Sequence, residues 1–357
     1  MVAPPWYPVP PDGYGGIEIM VSLLADELRA RGHLVTLFAA AGSDHPAVVH
    51  APDAWMADLG QHDERLRELT YGARILESLR HRGGIDVVHD HVGYGTLLGA
   101  AQLSETPVVH TVHGALTEPE STFYAALAGR VGLVAISESQ RRSASDLPWI
   151  GTVLNAVQLH HLPVGEDGGA SPYLVCLARI CPDKGQHIAI EVARRTGLRL
   201  VLAGKVENTP ASREYYAAEV LPWIDGDRVV HLSNVAGREK ATLLGGATAL
   251  LAPILWDEPF GLSVVEAMAI GTPAISFARG AARELIDDGL TGFLVSDADE
   301  MVAAVGRVTE IEPAHCAALT RRRFSPAAMA DGYLRMYERV ESSAAPAPGQ
   351  QIARRST

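Results

Sequence analysis

The chain has 357 residues, 47% of them hydrophobic and 20% charged, with a formal net charge of −12. That length favours two domains with well-packed cores, and the negative balance argues against nucleic acid or an anionic membrane as a general partner. Three cysteines, Cys176, Cys181 and Cys316, fit neither a disulfide framework nor a zinc spacing, so a cytoplasmic protein is expected, at most peripheral at the inner membrane face.

In chain order, the opening MVAPPWYPVPP has neither the basic nor the apolar region of a signal peptide. Nowhere does an apolar run approach the roughly 18 residues of a membrane span, so no stable membrane insertion is expected. The opening leaves room for about three strand residues before the prolines. Either the first strand is unusually short or the true start lies upstream. GIEIMVSLLADELRARG then sets Ile17, Met20, Leu23, Leu24 and Leu28 at helical spacing. HLVTLFAA, IDVVHDHV, PVVHTVHG, LVAIS and TVLNAV (152–157) read as strands. Among them RLRELTYGARILESLRHR (65–82) is a mildly basic amphipathic stretch, read as a solvated helix face.

PVGEDGGASP (163–172) is a glycine- and proline-containing link, after which YLVCLARI, LRLVLAG, RVVHL, ALLAPIL, PAISF and GFLV restart a strand series. GQHIAIEVARRTG (185–197) repeats the helical spacing. Many strands are apolar on both faces, as parallel strands covered by helices must be. The resulting division is an N-terminal Rossmann-like domain (1–155), a link (156–172), a C-terminal Rossmann-like domain (173–325), a final helix (326–340) and a disordered tail (341–357). Two such α/β sheets hold ligands beyond the carboxyl ends of their strands, in the cleft between the domains.

Three glycine-marked turns open helices: DGYGGIE (12–18), RICPDKGQH (179–187) and EPFGLSVVE (258–266). Helix starts offer free amide donors and a positive dipole end, and the second turn adds the cations Arg179 and Lys184. Together they point to a diphosphate. The spacing is neither the dinucleotide G-x-G-x-x-G nor the P-loop, which disfavours NAD and ATP.

The pair Glu258 and Glu266 forms an E-x7-E block that runs on as EAMAIGTP. With GYGGIE, RGHLVTLFA, TVHG, AISESQR, LARICPDKG and LIDDGLTGFLV, it closely resembles the retaining glycosyltransferases of family 4, of GT-B fold, over most of the chain. The resemblance implies two Rossmann-like domains facing across a cleft and transfer of a hexose from a UDP- or GDP-sugar to an unidentified glycan, lipid or small-molecule acceptor. It places Glu258 beside the donor sugar, Glu266 on the ribose, and the backbone amides of Phe260, Gly261 and Leu262 at sugar and phosphate. Arg179 and Lys184 match the family's diphosphate-binding pair, although the residue before the arginine is Ala178 where the family usually has glycine. His113 matches a histidine that approaches the sugar, and Gly15 and Gly16 let the backbone near the phosphates. The final helix is expected to cross back onto the first domain. Retention comes from the resemblance alone, since no nucleophile is visible.

No cofactor and no metal are expected. On a strand His89 and His91 share one face while Asp90 faces the other, which suits core and loop roles better than metal binding. SDADE (296–300) reads as a helix cap and Asn155 as interdomain structure. The base is expected near HLSNVAG (231–237), and the acceptor near residues 42–62 and 114–124. A nucleotide-sugar sensor without turnover and a nucleotide-sugar epimerase remain alternatives.

Overall fold

The computed structural model describes residues 1–13, 15–50, 64–101, 106–157 and 172–344. Six short strands build the N-terminal sheet: β1 (Leu37–Phe38), β2 (Val48–His50), β3 (Val88–Asp90), β4 (Val108–Val112), β5 (Gly132–Ala135) and β6 (Trp149–Thr152). β1 pairs with β2, and β3 to β6 pair in sequence, all parallel. Val2 bridges Phe38 on one side and Asp90 on the other, filling the first-strand position between β1 and β3. Its N–H donates to His89 O, and the Ala3 N–H to Phe38 O, both at 2.8 Å.

Two strand expectations need correction. The last strand of this sheet is Trp149–Thr152, not 152–157, because its partner β5 ends at Ala135 and Ser137 already caps a helix. Beyond Thr152 the chain retains one sheet bond, from Val153 N–H to Ala135 O, and then turns into the core, with Asn155 5% exposed. HLVTLFAA contributes strand only at Leu37–Phe38, and β2, which carries no run of alternating residues, was not anticipated.

The C-terminal sheet contains β7 (Tyr173–Leu177), β8 (Arg199–Ala203), β9 (Val229–Leu232), β10 (Ala249–Ala252), β11 (Ala274–Phe277) and β12 (Gly292–Val295). All are parallel, in the order β12-β11-β10-β7-β8-β9. This is the doubly wound order, and its direction reverses between β7 and β10. The loops leaving those two neighbours are 178–185 and 253–261, the segments that carry Arg179, Lys184 and Glu258.

The final helix, Pro326–Ala344, packs on the N-terminal sheet. Met329, Ala330, Tyr333 and Met336 share a buried cluster with Met20, Leu24, Val109, Val134 and Val153. It continues past Glu341, so the expected disordered tail (341–357) begins as helix, and residues 345–357 lie outside the described residues. Most of the expected link (158–171) and part of one acceptor loop (51–62) lie outside them too. The amphipathic stretch is the helix Glu64–Arg80, which buries Tyr71, Ile75 and Leu79 and leaves Leu66 and Leu69 exposed. Among the described residues no helix is long and apolar enough to cross a membrane.

Candidate active site

The loop after β7 is short and tightly held. Pro182–Lys184 makes one 3-10 turn, and Gly185 follows at φ +67°, where a Cβ would run into the carbonyl oxygen of Pro253. That approach, together with Leu255 N–H donating to Asp183 O at 2.8 Å, sets this loop against the one after β10. Lys184 Nζ thereby forms an ion pair with Glu258 Oε2, both side chains being largely buried, and lies 5.4 Å from the centre of the Trp256 ring.

Arg179 goes elsewhere. Ile180 bridges to Val206 in the loop after β8, which brings Arg179 to an ion pair with Glu207. The other oxygen of Glu207 accepts from Ser212 Oγ at 3.0 Å, so its carboxylate is held from two sides. Gln186 is buried and donates through Nε2 to Arg179 O at 2.8 Å.

The helix Leu262–Ile270 starts from Gly261 at φ +108° and buries Val264, Val265, Ala267, Met268, Ala269 and Ile270. Glu266 is the one charged residue on this largely apolar helix, and it pairs with Lys240 Nζ at 2.7 Å. Lys240 is supplied by the neighbouring helix Gly237–Gly245. Phe260 is 4% exposed and meets Phe324 edge-on at 6.1 Å, so its ring belongs to the core. Leu262 joins both the C-terminal cluster and the cluster beneath the final helix, and a Cβ on Gly16 would stand 3.0 Å from its Cδ1. The glycine turn of the first domain thus meets the E-x7-E loop of the second. Gly15 is the N-cap of the helix Gly16–Ala30, at φ +147°.

His113 follows β4 and is half-buried. Its Nε2 lies 3.0 Å from His91 Nδ1, and it makes no hydrogen bond to Glu258. Burial, with the His110 ring nearby as a lesser cause, pushes its imidazole down to about 3, so it is neutral at physiological pH. His89 and His91 are buried with ring centres 4.0 Å apart, on one face of the strand as expected. His89 contacts Tyr337 OH at 2.7 Å and Thr111 Oγ1 at 2.8 Å, while Asp90 accepts from Gly93 N–H and faces His110 Nδ1 at 2.7 Å. SDADE caps a helix: the Asp297 side chain accepts from Glu300 N–H at 2.9 Å. Among the described residues no group of three His, Cys, Asp or Glu side chains is arranged to hold a metal ion.

The structure therefore brings Lys184 to Glu258 and Gly16 to Leu262, and leaves Arg179, Glu266 and His113 with partners that sequence reasoning did not name. Those partners are Glu207, Lys240 and His91. None has a motif spacing, because each meets its partner only through loop pairing or helix packing.

Two family models cover the chain in succession: Glycosyltransferase Family 4 over residues 14–152 and Glycosyl transferases group 1 over residues 165–328. The chain is a GT-B glycosyltransferase of this group 1, family 4 type. A D-inositol 3-phosphate glycosyltransferase of Mycolicibacterium smegmatis is 26% identical over 96% of this chain and 90% of its own. An MMP alpha-(1->4)-mannosyltransferase of Mycolicibacterium hassiacum is 32% identical over 67% of this chain and 64% of its own. Among solved structures, AviGT4, a glycosyltransferase involved in avilamycin A biosynthesis, superposes with a TM-score of 0.71 at 25% identity, over 96% of this chain and 97% of that one. The two-domain sheet order described above is thus the glycosyltransferase scaffold, and the E-x7-E loop lies where that scaffold reverses its strand order.

Proposed function

We propose that this glycosyltransferase moves a hexose from a UDP- or GDP-sugar to a hydroxyl acceptor with retention of anomeric configuration. The observation that carries this reading is the convergence of Lys184 and Glu258 at the switch point between β7 and β10, beside the helix start at Gly261. A cation, a carboxylate and free helix amides at one crevice suit a sugar diphosphate. Glu258 accepts hydroxyl hydrogen bonds from the donor sugar, and Glu266, about one turn into the helix that follows, accepts from the ribose diol. Arg179 and Lys184 with the helix ends balance the charge that builds on the leaving diphosphate, so the chemistry is assigned without a metal.

Neutral His113 serves as a hydrogen-bond partner of the sugar from the N-terminal side and not as a cation. A front-face path, in which the leaving phosphate takes the acceptor proton, accounts for retention without a protein nucleophile. The mannosyltransferase named above supports a hexosyl donor, and the other relative, by its name, acts on an inositol phosphate. We assign the acceptor of this chain only as a hydroxyl compound of the glycan, lipid or small-molecule class. We place the protein in the cytoplasm.

The test is thermal shift against UDP, GDP, dTDP and ADP and their glucose and mannose conjugates, followed by turnover with the stabilising donor. A rise with UDP or GDP conjugates and a product of unchanged anomeric configuration by NMR is expected. No shift with any nucleotide overturns the donor assignment. Binding without transfer or donor hydrolysis favours the sensor, and a new nucleotide sugar formed without acceptor favours the epimerase.

A further inference from the structure

Glu258 and His113 lie in different domains and do not touch, yet a path of hydrogen bonds and short backbone segments joins them. It starts at the Glu258 carbonyl oxygen, which accepts from Ala281 N–H at 3.0 Å. The short helix that follows, Ala282–Leu285, presents Glu284. Each oxygen of its carboxylate takes one backbone N–H of the N-terminal domain: Glu138 N–H at 2.9 Å and Ser139 N–H at 2.8 Å. Both donors belong to the first turn of the helix Glu138–Ser143, where backbone N–H groups have no partner within the helix.

The next residue, Gln140, is 3% exposed. Its Nε2 donates to Val112 O at 2.9 Å and to Gly114 O at 2.7 Å, the two carbonyls that flank His113. Its Oε1 accepts from Ile136 N–H at 2.8 Å, so all three bonds agree on one orientation of the amide. The Glu284 segment is anchored behind as well. Its carbonyl oxygen accepts from Arg323, beside Phe324, whose own carbonyl receives Val157 N–H at 3.0 Å. The Glu284 segment is thus tied to Arg323, next to the Phe324 that holds Val157. Apolar contacts such as Leu262 hold the domains together without direction; a carboxylate on two consecutive N–H groups fixes an angle.

We infer that Glu284 and Gln140 are positioning residues that set His113 of the N-terminal domain against Glu258 of the C-terminal domain. The inference rests on the proposed roles of those two residues, and it adds a link between domains to them. Neither positioning residue touches the nucleotide side chains Arg179, Lys184 or Glu266, so disturbing them separates turnover from nucleotide affinity.

The experiment uses the full chain with four variants: Glu284→Ala, Gln140→Leu, Glu138→Pro and the control Glu138→Ala. Proline is well suited to the first position of a helix, and the capping Ser137 before it is extended, so Glu138→Pro deletes one donor with little else changed from the control. The expected result is a kcat lowered about tenfold or more in Glu284→Ala and Gln140→Leu, with the nucleotide Kd within about twofold. Glu138→Pro lowers kcat several-fold below its control and adds nothing in the Glu284→Ala background. An unchanged kcat in Glu284→Ala, a Kd that weakens as much as kcat falls, or additive effects of the two variants would each overturn the inference. If the unaltered chain neither binds nucleotide nor transfers sugar, the functional reading fails, and the link is then read by denaturant unfolding. Non-additivity of Glu284→Ala and Glu138→Pro by about tenfold in the unfolding constant supports it, and additivity refutes it.

Discussion

Gly280 offers the sharpest test of how the fold holds Glu258. It lies at φ +51°, and a Cβ there would stand 2.5 Å from both the nitrogen and the oxygen of Glu258. Alanine at that position pays first for the left-handed backbone, about 1 kcal/mol relative to glycine. It then meets main-chain atoms that cannot rotate away, so the two loops must separate by several tenths of an ångström, which adds about 1–3 kcal/mol. Gly280→Ala is therefore expected to lose about 2–4 kcal/mol of stability. Gly289 supplies the internal control: its φ is +75°, but nothing lies within 4 Å of the position its Cβ would take. Gly289→Ala should lose only the first contribution. Urea unfolding of both variants gives the difference, and initial rates at saturating donor on the folded fraction show whether Glu258 has moved. A larger destabilisation for Gly280→Ala, with a drop in kcat not shared by Gly289→Ala, is expected. Equal destabilisation, or full activity per folded molecule, would refute the claim that this contact positions the carboxylate.

Removing Glu258 as Ala should chiefly lower kcat and removing Glu266 chiefly weaken nucleotide binding; indistinguishable effects on kcat and KM would end that division of roles. Arg179→Ala should weaken UDP or GDP binding by about 2 kcal/mol, roughly thirtyfold in Kd by calorimetry, and an unchanged Kd would remove it from the site. Burial raises the Glu18 carboxyl from 4.5 to about 7. The unfolded chain releases that proton near the ordinary value while the folded chain keeps it, so stability should fall as pH rises from about 4.5 to 7 and level off above. Glu18→Gln should flatten that slope and gain up to about 3 kcal/mol at pH 8, measured by unfolding across the range; an unaltered slope would show that Glu18 does not titrate this way.

How far the sequence revealed this molecule depended on whether a residue's role is local. The helix Leu262–Ile270 was legible because a buried apolar run broken by one acid has few other readings. Val2 was half legible: the prolines limited the first strand, but only pairing with Phe38 and Asp90 shows Val2 in that position. The end of β6 was misplaced because strand limits follow from the partner, and β5 stops at Ala135. Lys240, Glu207 and Glu284 were invisible for a related reason. Each meets its partner across 26, 28 or about 146 residues of chain, and charge on a helix or loop gives no sign of direction. Ala178, by contrast, was noticed as a departure from the family pattern, and the structure shows what accompanies it. Gly204 at φ +144° comes so close to Ala178 O that no side chain fits there, so the close approach is provided from the neighbouring strand.

The two acid–lysine pairs invite one further step under the proposed function. As folded, Lys184 is held by Glu258 and Lys240 by Glu266, so neither acid faces the cleft uncompensated. A diphosphate approaching Lys184 competes with Glu258 for the same ammonium, and the binding energy is a difference between two charge-assisted contacts, not their sum. That exchange frees Glu258 to accept hydroxyl hydrogen bonds as the donor sugar arrives. The ribose is neutral and makes no such demand. A carboxylate has about four lone-pair positions, and Lys240 uses one of them, so a diol adds to Glu266 without displacing the lysine. One residue type in one short block thus works by exchange at its first position and by addition at its second. The difference follows from where each acid stands: Glu258 on a loop packed against another loop, Glu266 on a helix fixed by its buried neighbours.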